Sequence, residues 1–311
     1  MGLVIILAGG LSALLCIFIG SKIGTLTGSD LTCMVVGLLS GSLTSTPAFS
    51  AAKQTAESIA TTPQMAEQLE TLVTTGHAIS YIFGVIGVVL FVQIVPKVMK
   101  ANMAHERSLI TAGETEAVKK TSNTKLIHFD HLGFAAFALA AVIGSIIGNI
   151  KVPMSAQGFD GTCFSLTTTG GCLLTGLIFG HFGRCGKVSI MPEAKTLNIF
   201  KELGLILFLV GAGVAGGNGF LQIVEPIYFI YGVIMTVLPM VAGFFFAKYV
   251  LKLCLLNNLG SLTGGMTSTP ALGTLINVAE TDDVASAYAA TYPVALIAVV
   301  LVSQFIILFV H

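Results

Sequence analysis

Two hydroxyl clusters lie on helix-start signals inside apolar sequence: Thr44-Ser45-Thr46-Pro47-Ala48 and Thr267-Ser268-Thr269-Pro270-Ala271. Proline suits the first turn of a helix, where a missing N–H costs nothing and φ is already set. The preceding residue, Thr46 or Thr269, then falls at the N-cap, where a side-chain oxygen satisfies an orphan backbone donor. Each cluster would present a helix N-terminus ringed by Thr44, Ser45 and Thr46, or by Thr267, Ser268 and Thr269. The N–H groups of Ala48 and Ala271 would stand behind them. Free N–H groups and the positive end of a helix dipole hold an anion without a formal charge. Gly41, Gly264 and Gly265 let backbone or ligand come close. The chemistry implied is loose, reversible binding of a small anion, best a carboxylate. A plain Thr-Pro kink is the competing reading.

The recurrence decides against the kink. Gly37 to Ala48 returns as Gly260 to Ala271, 223 positions on, with eight of twelve residues identical. A duplicated, Gly/Pro-interrupted apolar segment is the strongest sequence pointer to a transporter's binding site.

The elements that hold these clusters must lie in lipid. The chain has 311 residues, 54% hydrophobic and 10% charged, against roughly 25% charged in soluble domains. Too few charges remain to solvate a globular surface. A net charge of zero argues against nucleic-acid partners. The six cysteines lie in apolar stretches without metal or disulfide spacing. The first apolar run has no basic segment before it and reads as a retained span.

Apolar runs of bilayer-spanning length are predicted at 3–20, 77–97, 131–150, 164–182, 198–217, 226–247 and 287–310. Segments 31–58 and 255–280 are broken at their Thr-Pro. The expected architecture is an all-α polytopic membrane protein of inverted repeats, with two broken or re-entrant helical segments. Residues 1–97 form an abbreviated first repeat, 98–130 a linker and 131–311 the second repeat. Basic residues place the linker, 183–197 and 248–254 in the cytoplasm and 218–225 outside. If the broken segments cross the bilayer the halves run parallel; if they are hairpins the halves are inverted. The polar character of 47–58 favours hairpins, because such backbone is tolerated at depth only against protein or water.

Other positions carry less. Thr167-Thr168-Thr169-Gly170-Gly171 is a third possible helix start, or an ordinary terminus. The glycine run 211–219 reads as helix packing in lipid rather than a nucleotide loop. Tyr81 and Tyr292 match in the last helix of each half, and a phenol could bind a carboxylate or anchor at the interface. Lys53 and Glu57, four apart, could pair. Hydroxyls without a nearby histidine, and no recognisable hydrolase motif, point away from an enzyme; no metal or other cofactor is expected. The expected surroundings are a small carboxylate and the lipid bilayer.

Gly264-Gly-Met-Thr-Ser-Thr-Pro-Ala-Leu-Gly273 and Ala287-Tyr-Ala-Ala-Thr-Tyr-Pro293, with stretches 169–180 and 201–209, resemble the duplicated membrane domain of the aspartate–alanine exchanger family. The resemblance covers 131–311 and, more weakly, 3–97. It implies a multi-pass protein of the bacterial inner membrane that exchanges or exports amino acids and dicarboxylates. The chain departs from the family in having only a short linker where members commonly insert a cytosolic regulatory domain. It also lacks the opening of the first repeat. Either the chain is complete as it stands, or a homodimer or a partner chain completes the scaffold; a homodimer is the expected assembly.

Overall fold

The computed structural model describes residues 1–114, 127–128, 130, 133–153, 163–185, 188–189, 191–217 and 225–310. The chain forms two units, one of residues 1–119 with 219–311 and one of 120–218. The linker's second part, and the loop 218–224, fall outside the described residues.

The first unit holds both Thr-Ser-Thr-Pro segments. Its helices are α1 (Gly2–Ile23), α2 (Gly28–Ser42), α3 (Thr46–Ile59), α4 (Pro63–Val98) and α5 (Met103–Glu114). In the second unit, α6 is Phe134–Gly148, α7 Thr167–Phe182 and α8 Ala194–Gly217. The first unit resumes with α9 (Pro226–Tyr249), α10 (Leu255–Gly265), α11 (Thr269–Ala279) and α12 (Val284–Phe309). Among the described residues, four helices, α1, α4, α9 and α12, are long and apolar enough to cross a bilayer. The chain is an all-α polytopic membrane protein. On α1, Leu3, Leu7, Leu11 and Phe18 are exposed while Gly2, Ile5, Gly9, Ala13, Cys16 and Gly20 are buried. Large residues face lipid and small ones face protein, as membrane packing without a hydrophobic drive between helices requires.

Both broken segments are hairpins. Asp30, in the first turn of α2, accepts from Gln68 of α4 at 2.7 Å, and Lys53 of α3 pairs with Glu70 of α4 at 2.9 Å. Further along, the carbonyls of Gly41 and Ser42 lie beside Gly84. So α2 runs parallel to α4, and α3 returns to α4's start. The tip meets α4 21 residues past Pro63 and 14 short of Val98, or roughly 30 and 20 Å from its two ends at 1.5 Å per residue. Helices α10 and α12 repeat the arrangement, with Gly260 beside Val284 and Gly264 beside Tyr288 and Thr291. Lys53 thus pairs across to Glu70 of α4 rather than with Glu57, which lines the hairpin's open mouth with Glu67 and Glu70.

The halves are inverted. Gly9 of α1 lies beside Pro239 of α9, Gly20 beside Tyr231 and Gly243 beside Ile5, so these matching helices run antiparallel. Thr32, near the start of α2, donates to the carbonyl of Val310 at 2.6 Å, so α12 ends at the face where the first hairpin opens. The second hairpin opens at the other face. There α5 meets it: Glu106 accepts from Leu255 N–H at 2.8 Å, and Arg107 pairs with Glu280 at 2.7 Å.

In the second unit, α6 and α7 run antiparallel with Gly144 against Gly171 and Cys172, and Gly148 against Thr167. They have 15 and 16 residues, short of the roughly 20 a spanning helix needs. The runs 131–150 and 164–182 are therefore not full spans by length. Left-handed residues set their starts, past the expected 131 and 164: Gly133 (φ 80°) precedes α6, and Thr167 (φ 61°) begins α7. Two-residue strands pair Val152–Pro153 with Cys163–Phe164, and Val188–Ser189 with Ile127–His128 and Arg184–Cys185. The third candidate, Thr167 to Gly171, is the glycine-packed start of α7.

The inversion has a direct test. With the six native cysteines replaced, Thr61→Cys and Asp282→Cys should react with a membrane-impermeant maleimide from opposite sides of sealed vesicles. Labelling from one side would mean parallel halves.

Candidate functional site

The two hairpin tips close by the same backbone device. Ser45 N–H donates to Ser40 C=O at 2.8 Å and Thr44 N–H to Gly41 C=O at 2.8 Å; Ser268 donates to Thr263 at 3.0 Å and Thr267 to Gly264 at 3.1 Å. This is the Schellman closure of a helix C-terminus, in which the penultimate position turns left-handed. Glycine normally takes that position. Here Thr44 (φ 51°) and Thr267 (φ 50°) take it, at a cost of about 1–2 kcal/mol each for a residue with a Cβ. The hydroxyls show why threonine is kept. Thr44 Oγ1 donates to the carbonyl of Met266 at 3.1 Å, and Thr267 Oγ1 to that of Leu43 at 2.6 Å. Leu43 and Met266 are the C-cap residues of α2 and α10, whose carbonyls have no partner within their own helix. Each tip satisfies the other's orphan acceptor.

The N-caps differ from the sequence expectation by one residue. Ser45 and Ser268 are the caps of α3 and α11, and Thr46 and Thr269 are the first helical residues, each followed by its proline. The shift follows from the turn: the left-handed residue at 44 or 267 leaves the next residue extended (φ −99° or −96°), as a cap must be. Ser45 Oγ accepts from Ala48 N–H at 3.3 Å, so that N–H is engaged inside the tip. Ser268, Ala48 and Ala271 are fully buried; Thr46, Pro47 and Thr269 are half-buried, and Pro270 is exposed.

The glycines serve close packing. A Cβ at Gly41 would collide with Ser80 Oγ and the His77 carbonyl; one at Gly264 would lie 2.6 Å from the Tyr288 carbonyl, and one at Gly265 would strike Ile5. Contact of Gly37 with the Val73 carbonyl and of Gly260 with that of Val284 sets the register, a common shift of 211 residues (284 against 73, 288 against 77). Tyr81 and Tyr292 are therefore equivalent, as are His77 and Tyr288. Tyr81 lies 5.4 Å from the His77 ring, and Tyr292 stacks on Tyr288 at 5.0 Å. Tyr288 OH is 3.4 Å from Thr269 Oγ1.

His77 was absent from the sequence reading. It is buried, with Nδ1 2.8 Å from Ser40 Oγ and its ring 4.4 Å from Phe49. Its place at residue 77 hid it at the edge of an expected span. Helix α4 begins at Pro63, where Thr62 Oγ1 accepts from Met65 N–H at 3.2 Å. Thr62-Pro63 repeats the hydroxyl-proline start and would have moved His77 to mid-helix.

The family described as a predicted permease membrane region, Asp-Al_Ex, matches residues 1–97 and 136–308. The chain belongs to that family. Similar proteins include uncharacterized transporters of Desulfotalea psychrophila (33% identical, over 54% of this chain and 31% of the relative), Bacteroides fragilis (29%, over 64% and 38%) and Rhodopirellula baltica (27%, over 64% and 38%). These alignments thus span about a third of each relative. No solved structure matches. Of this permease region's two broken helices, the matched stretches hold both. It is a membrane protein of a transporter family.

The cross-tip bonds predict an ordering of stabilities. Thr44→Val keeps the strained Cβ and orphans the Met266 carbonyl, costing about 1–3 kcal/mol. Thr44→Gly loses the same bond but relieves about 1–2 kcal/mol of left-handed strain. Thermal unfolding in detergent should place Thr44→Val below both Thr44→Gly and the parent.

Proposed function

We propose that the chain is a secondary active transporter, an exchanger or exporter of a small carboxylate such as a dicarboxylate or amino acid. It works by alternating access around the two Thr-Ser-Thr-Pro tips in the bacterial inner membrane. The observation that carries the reading is the meeting of two inverted hairpin tips, each opening a helix N-terminus, through direct hydroxyl-to-carbonyl bonds. Family membership and the relatives' naming as transporters support the coarse part. The carboxylate rests on dipole and hydroxyl chemistry at those N-termini. No covalent step is part of the reading. Ser45, Thr46, Ser268 and Thr269 would contact the anion, with Tyr81 and Tyr292 beside them. Small-anion sites built from hydroxyls and N–H groups bind through several moderate bonds, which suits release on the far side.

The test is counterflow in proteoliposomes preloaded with succinate, L-aspartate or L-alanine. Thr46→Val and Thr269→Val should each lower the initial rate about tenfold or more, because a hydrogen bond to a charged group is worth about 1.5–3 kcal/mol. Parental rates in both variants would move the site elsewhere. Single-channel currents without counterflow would replace the transporter by a channel.

A further inference from the structure

The two tips are equal in backbone and unequal in chemistry. Ser45 and Ser268 have nearly the same conformation, φ −99°, ψ 97° against φ −96°, ψ 96°. Ser45 Oγ accepts the Ala48 N–H at 3.3 Å, a long cap bond that leaves its own O–H free to donate. Ser268 makes no cap bond, and its Oγ is fully buried without a hydrogen-bond partner. A hydroxyl left so costs about 1–3 kcal/mol, although the backbone here allows the cap bond, as Ser45 shows. The residues facing the tips differ in the same sense. At the first tip His77 is engaged with Ser40. At the second, its counterpart Tyr288 brings a phenol to Thr269 at 3.4 Å, a long and weak contact.

We infer that the substrate's carboxylate is held chiefly by the second hairpin, at the N-terminus of α11 with Ser268 as hydroxyl donor, while Ser45 and Thr46 of the first tip contact it more weakly. The inference rests on the proposed transport of a carboxylate and refines which half recognises it. Recognition then requires one carboxylate. Thr269 and Tyr288 flank the group, and the rest of the guest lies toward the half-buried Thr46 and Pro47.

The experiment is calorimetric titration of the full chain in detergent with succinate, L-aspartate and L-alanine. Glycine is tolerated at an N-cap at a cost of only a few tenths of a kcal/mol, so Ser268→Gly and Ser45→Gly compare the two hydroxyls with little loss of fold. For any probe the parent binds, Ser268→Gly should raise Kd about tenfold or more, and several times more than Ser45→Gly does. Ser268→Cys, which keeps the shape with a weak donor, should follow Ser268→Gly. Equal losses at 45 and 268, or a parental Kd in both Ser268 variants, would overturn the inference and leave the transporter standing. A parent that binds none of the three probes would overturn the carboxylate reading itself.

Discussion

The fold turns on a pair of reciprocal hydrogen bonds, Thr44 to Met266 and Thr267 to Leu43. A hairpin that stops inside a membrane leaves carbonyls at the end of its first arm and N–H groups at the start of its second. In hydrocarbon each such group costs several kcal/mol if unsatisfied. A single hairpin cannot repair this by itself, since its Schellman turn uses the inner carbonyls and leaves the C-cap one. Two inverted copies can. Each lends a threonine hydroxyl to the other's C-cap carbonyl, and the left-handed strain in both threonines is the smaller loss. Duplication and inversion are thus more than an ancestry of the fold: they make the broken helices tolerable.

Glycine sets the depth and register of this meeting. On one side Gly37 and Gly41 bring α2 onto the backbone of α4; on the other Gly260 and Gly264 bring α10 onto α12. From α4, Gly76 and Gly84 return the contact against Met34 and Gly41. Such backbone approach replaces the hydrophobic drive that lipid removes. It also aligns the tips closely enough for hydroxyls to reach carbonyls, which a shift of one turn would prevent.

Much of this was legible in the residues. The twelve-residue duplication located both tips, and the polarity of 47–58 argued for a hairpin, since Ala48, Ala51, Ala52, Thr55 and Ala56 are buried against protein. What could not be read was the left-handed threonine. Local rules assign that conformation to glycine, and only the opposite tip, more than two hundred residues away, supplies the hydroxyl's reason. The one-residue displacement of the caps follows from the same missed turn. The short α6 and α7 were overestimated because apolar length was counted from 131 and 164, ahead of Gly133 and Thr167, whose positive φ lies outside any hydropathy pattern. His77 was hidden by a helix start that composition masks: residues 63–76 are polar enough to read as loop, yet they form the first turns of α4.

The same bonds constrain how the protein can move. Separating the tips would break two hydrogen bonds of about 1 kcal/mol net each in water, and more where no water replaces them. It would also restore two orphan carbonyls. The hairpins cross: α3 packs against α12 as well as α4, and α11 against α4 as well as α12. Pulling one hairpin out therefore tears contacts in both halves. Packed elements of this kind are bistable rather than continuously deformable. Toward α1 and α9 the hairpins and α12 meet glycines, Gly9 against Leu39 and Leu43 and Gly10 against Val302, and two hydrogen bonds, Ser42 to the Gly232 carbonyl at 3.2 Å and Asn258 to the Phe244 carbonyl at 3.1 Å. For the proposed transporter, moving both hairpins as one body would leave the proposed anion site intact and change only its access.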